Sequence, residues 1–187
     1  MHRNQAGRSW TSKAVVYTLS SAFAGIAAGT ALGALGGLVP LDFRLAVGSV
    51  LAVVAIVAGS FELFGYRVPL PQLDCETPQR WVHKGPFLWA IQNGLVLGFG
   101  ATSRIGFALW YAVPVGALLF GSPMLGAVAY GAYGLVRGLA APAILLVRMR
   151  SKTDVSYWLV MNNKRARVWT ARQLLFLGVV TAVVAGL

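Results

Sequence analysis

Cysteine, histidine and acidic side chains are all scarce: the 187 residues include one Cys, two His and five Asp or Glu. The lone Cys75 excludes an intramolecular disulfide and every paired-cysteine metal or redox motif within the chain. His2 and His83 do not make a metal site, and no metal or other cofactor is expected. Catalytic signatures of the intramembrane kind are missing as well. There is no HExxH, no carboxylate pair inside an apolar run, and no serine beside a histidine or lysine at membrane depth, so the chain is not expected to be an enzyme. The GFGAT stretch at 98–102 is a lone glycine pattern with no strand before it and does not read as a nucleotide loop.

Only 11% of residues are charged, against about a quarter in a soluble domain. Hydrophobic residues make up 57% and mean hydropathy is +0.69, which describes an integral membrane protein. The apolar runs are separated by short connections, so one membrane domain over 1–187 is expected. The fold class is all-α, a polytopic helix bundle of about six hydrophobic segments. The net charge of +11, from 16 Lys and Arg, is clustered between apolar runs. It reads as topology and contact with anionic lipid headgroups, with no nucleic-acid partner.

Residues 1–13 form a basic N-terminus, and the apolar run that follows continues to Val39, too long for the core of a cleaved signal peptide. The first span, 14–39, carries Gly25, Gly29, Gly33 and Gly37 at four-residue spacing, a smooth stripe against which another helix can lie closely. Pro40 ends it, and 41–44 reads as a turn. The second span, 45–66, has Glu62 near its far end. Residues 67–84 form a polar loop broken by Pro69, Pro71 and Pro78. Segment 105–120 is a fourth apolar run, 124–147 a span interrupted by Arg137, 148–172 a second and strongly basic polar loop, and 174–187 a short final run.

The stretch 85–104, GPFLWAIQNGLVLGFGATSR, is too polar and glycine-rich for a lipid-facing helix. Charge placement bears on it directly. Six full crossings put six basic residues on the N-terminal side and nine opposite, against the positive-inside rule. If 86–103 enters and returns without crossing, fourteen basic residues fall on the N-terminal side and one opposite, with Arg137 inside the membrane. Five crossings plus a re-entrant segment, with a cytoplasmic N-terminus in a bacterial inner membrane, are therefore expected. Six helices are the alternative.

Arg137 lies deep in its span, where a guanidinium is costly unless it faces the bundle interior or water. Tyr130, Tyr133 and Arg137 are spaced i, i+3, i+7 and share a face. That row, with Gln92, Asn93 and Arg104 from the glycine-rich stretch, is the candidate binding site for a small polar or anionic solute. The bland alternative pairs Arg137 with Glu62, which lies at a similar depth by residue count.

The segments AGIAAGTALGALGG, NGLVLGFGA and YGAYGLVRG share a small-residue spacing. With one half-helix and about six hydrophobic elements, residues 14–187 resemble compact transporter folds of the lysine-exporter type. They also resemble the transmembrane domain of the thiol-disulfide interchange proteins. The chemistry of the second family needs a pair of membrane cysteines, and Cys75 stands alone. The resemblance thus implies a transporter-like build without that electron-carrying activity. The competing expectation is a non-transporting scaffold or assembly subunit, holding a membrane-protein partner or a second copy of itself.

Overall fold

In the computed structural model, residues 2–66, 68, 85–100, 108–150 and 155–185 are described. They form six α-helices: α1 (His2–Gly37), α2 (Leu41–Leu63), α3 (Pro86–Phe99), α4 (Ala112–Phe120), α5 (Pro123–Arg150) and α6 (Val155–Ala185). A 3-10 turn, Ala108–Tyr111, leads into α4. The all-α bundle is what the apolar patterning predicts. Among the described residues, three stretches, Trp10–Gly37, Leu41–Leu63 and Pro123–Ile144, are long and apolar enough to cross a membrane. Their outward faces carry exposed Leu19, Phe23, Val50 and Val136, a surface suited to lipid rather than water.

Local chemistry explains the helix ends. Pro40 has φ −54° and ψ 144° and serves as the N-cap of α2, with Asp42 in its first turn where the helix dipole favours a carboxylate. The expected turn at 41–44 is therefore the first turn of α2. α3 starts with Pro86 behind Gly85 at φ 102° and stops at Gly100, φ 77°, whose N–H bonds the Val96 carbonyl. The expected loop at 148–172 is corrected too, because α5 runs to Arg150 and α6 is already helical from Val155. Between Val155 and Leu177 there is no Gly or Pro, and a high density of Lys and Arg does not by itself stop a helix. The polar loop expected at 67–84, with Cys75, lies outside the described residues apart from Val68.

Directions follow from contacts. The Cβ positions of Gly25, Gly29 and Gly33 of α1 face Tyr130, Gly126 and Ser122 in turn, so α5 runs antiparallel to α1. Gly94 and Gly98 of α3 face Tyr17 and Ser21, so α3 runs parallel to α1. Farther along α1, Gly36 meets Leu118 near the end of α4. α3 and α4 thus run in the same direction, one after the other. At 14 residues α3 is roughly 21 Å long, well short of a hydrocarbon core of about 30 Å. α3 itself runs one way to Gly100, and residues 101–103, where the expected re-entrant segment would return, lie outside the described residues; 108–120 then runs in the same direction as α3. Together they carry the chain across the bundle once, with an interruption whose link, 101–107, lies outside the described residues. Gly59 of α2 faces Ala171 and Leu175, whereas Gly178 of α6 faces Ala52 and Ile56, which sets α6 antiparallel to α2. The described chain passes five times through the bundle, with α3, α4 and α5 around α1 and the α2–α6 pair joined to them through the 3-10 turn and α4.

Candidate functional site

α3 ends near mid-height. Gly98 of α3 and Gly134 of α5 both face Ser21, near the middle of the apolar stretch Trp10–Gly37. Away from water, the exposed helix ends at such a break need partners from the protein. Tyr130, only 2% exposed, donates its hydroxyl to the Phe99 carbonyl at 3.3 Å. On the other side of the break, the N–H of Ala108 donates to Glu62 Oε1 at 2.9 Å. Glu62 is 5% exposed, and its Oε2 is buried without a hydrogen-bond partner among the described residues.

Beside the break lies a cluster of aromatic rings and one cation. Trp110 Nε1 and Arg137 Nη1 both donate to the Tyr133 hydroxyl. The Arg137 guanidinium also lies 5.6 Å from the centre of the Tyr133 ring, a cation–π contact. Tyr130 meets Tyr133 edge to face at 5.7 Å, and Trp110 meets Tyr111 at 5.0 Å. A phenol oxygen has two acceptor positions, so the two donors fill Tyr133 and leave its own O–H to donate. What this cluster offers a ligand is donors and positive charge, a set suited to acceptor oxygens.

The i, i+3, i+7 row of Tyr130, Tyr133 and Arg137 is thus brought together. Other expected members are not. Asn93 turns its Nδ2 back to the Trp89 carbonyl of its own helix at 2.9 Å. Gln92 has a buried Oε1 without a hydrogen-bond partner among the described residues. Arg104 lies outside the described residues. The expected Glu62–Arg137 pairing is replaced, because Glu62 points to the 3-10 turn and caps it while Arg137 bonds within α5. Depth alone suggested that pair; azimuth around the helix decides it.

Trp110 was not singled out from the sequence, although an indole N–H in the interior of an apolar run signals a need for a partner. Thr18 and Ser21 were missed too. Their hydroxyls donate to the Gly138 and Gly134 carbonyls at 3.1 and 2.8 Å, tying α1 to α5 beside the cluster.

No known family matches the chain, and no solved structure matches it. A curated relative does: the methylamine utilization protein MauF of Paracoccus versutus is 29% identical over 182 residues, 94% of this chain. The chain spans 65% of the length of that relative.

Proposed function

We propose that this integral membrane protein binds a small polar or anionic solute at the break between α3 and α4 and moves it across a bacterial inner membrane, without catalysing a reaction. The carrying observation is the interruption between α3 and α4, with the end of α3 near mid-height beside Tyr130, Tyr133 and Arg137. Discontinuous helices at the membrane midplane are how many transporters present backbone groups to a solute. The name of the relative supports placing the protein in the utilisation of methylamine. The basic residues flanking α1 and α6 favour a cytoplasmic N-terminus.

A second reading has its own support. Trp110, Tyr133 and Arg137 close on one another, and a groove beside α6 is lined by none of the candidate residues. A membrane assembly subunit without a solute would be built in that way.

Flux decides between the two. Proteoliposomes of the full chain would be loaded, in separate experiments, with labelled formate, acetate, phosphate, sulfate and methylamine. Under transport, one oxygen-bearing anion crosses faster than in empty vesicles, and Arg137→Gln lowers that flux by about tenfold or more, the effect of losing one charged hydrogen bond. If none of the five crosses above background, transport of a small solute is wrong and the assembly reading stands.

A further inference from the structure

A groove of about 500 Å³ opens between α6 and the second half of the interrupted passage. Leu109, Ala112 and Val113 form one wall and Phe176 and Leu177 the other. Its remaining lining is of a different kind: Trp169, Arg172 and Gln173. Because these three precede Phe176 along α6, the groove is polar at one end and apolar at the other.

Depth identifies the polar end. Ala171, next to Arg172, faces Gly59, one turn before α2 ends at Leu63. Arg172 therefore lies about one turn inside the edge of the apolar slab, on the side where α1 begins. Trp169 is three residues nearer that edge, at the level where indole rings gather in membrane proteins. Exposed Lys164 and Arg165 continue the basic strip outward. Among the described residues no acidic side chain lines the groove, so the exposed Arg172 and Gln173 meet no counter-charge from them. A charge held at that depth needs an anion or a route to the surface.

We propose that this groove is a binding site for one anionic phospholipid of the leaflet on the N-terminal side. The headgroup phosphate sits on Arg172 and the Gln173 amide, Trp169 flanks the glycerol region, and an acyl chain lies along Val113, Phe176 and Leu177. The charge selects the headgroup, and the length of the apolar walls selects a lipid over a soluble phosphate. A partner helix would cover the same walls but would leave Arg172 buried without an anion, a costly arrangement. This site is independent of the solute reading above, since none of its residues belongs to the Arg137 cluster.

The test is native mass spectrometry of the full chain after exchange with mixed vesicles of phosphatidylglycerol and phosphatidylcholine in equal amounts. Wild type should retain one phosphatidylglycerol in preference to phosphatidylcholine. Arg172→Gln should lower that preference by about tenfold, as expected for one charge-assisted contact. Val113→Trp, on the opposite wall, should remove retention of both lipids, and it decides the matter even if Arg172→Gln does not fold. Lys164→Gln should change retention less than twofold, roughly what one exposed charge outside the groove contributes under salt screening. Equal retention of the two lipids would overturn the proposal, as would equal sensitivity to Lys164→Gln and Arg172→Gln. So would full displacement of the lipid by glycerol phosphate, or a dimer that forms in its place.

Discussion

Thr18 shows how a single residue compensates for a defect elsewhere. Pro142 lies inside α5 and has no N–H, so the Gly138 carbonyl four residues earlier loses its usual partner. Thr18 Oγ1 donates to that same carbonyl at 3.1 Å. Thr18→Val, which keeps shape and removes the donor, should cost about 0.6 kcal/mol, the typical worth of an interhelical hydrogen bond in a membrane. In a Pro142→Ala background the helix supplies its own donor, and the same change should cost almost nothing. Thermal unfolding in detergent of the four proteins completes the cycle, and equal cost in both backgrounds would sink the explanation. The glycines make a second contrast at this scale. A Cβ on Gly29 would overlap the backbone of Gly126, which cannot rotate away, so Gly29→Ala should destabilise by about 1–3 kcal/mol. On Gly48 a Cβ would meet only the Leu119 methyl carbons, at 3.8 and 4.0 Å. Gly48→Ala should be neutral or stabilising by up to about 1 kcal/mol, through helix propensity. Melting temperatures that moved together for the two variants would show that backbone contact is not what distinguishes them.

At the scale of elements, the short α4 is held at both ends by α2. Glu62 accepts from Ala108 where the 3-10 turn begins, and Arg44 Nη1 donates to the Leu119 carbonyl at 3.1 Å in the last turn. Each charge has the sign that complements the helix dipole at its end. Glu62→Ala should therefore release the start of the element, and Arg44→Ala its end. Hydrogen exchange followed by mass spectrometry should show amides near Ala108 exchanging about tenfold faster in Glu62→Ala, equivalent to a loss of about 1.4 kcal/mol. Glu62→Gln keeps an acceptor oxygen and should show less. Uniform acceleration over all six helices in Glu62→Ala would mean that the carboxylate supports the whole bundle and not this cap. Such a clamp was only half legible beforehand. Glu62 stands out in the sequence because a carboxylate near the end of an apolar run is unusual, and its depth is countable. Its partner is a backbone N–H 46 positions away, and no side-chain pattern marks it. The row of Tyr130, Tyr133 and Arg137 could be read because it depends on helical spacing alone. Trp110 joins it from another element, and only the packing of α4 against α5 brings it there.

At the scale of the whole molecule, the count of crossings depends on how two half-length helices are joined. Both were visible as apolar runs, and α6 runs in the same direction as α1, which gives an odd number of passages, as the charge count expects. What charges could not resolve is whether 86–103 turns back or continues, because both routes leave the basic segments on the same side. Side-of-membrane labelling settles the parity: in a Cys75→Ser background, cysteines at Lys164 and Ser122 should react from opposite faces, with Lys164 on the face of the N-terminus. Six crossings would put Lys164 across from the N-terminus. Depth tests the site itself. Gly98 and Gly134 both face Ser21, so Phe99 at the end of α3 belongs at the depth of Leu135, near mid-height. A nitroxide at Phe99 should match one at Leu135 in its relative exposure to oxygen and to a polar nickel reagent, and should differ from one at Phe64 at the end of α2. Should Phe99 instead match Phe64, the mid-depth end of α3 is gone, and with it the backbone groups on which a solute site between α3 and α4 depends.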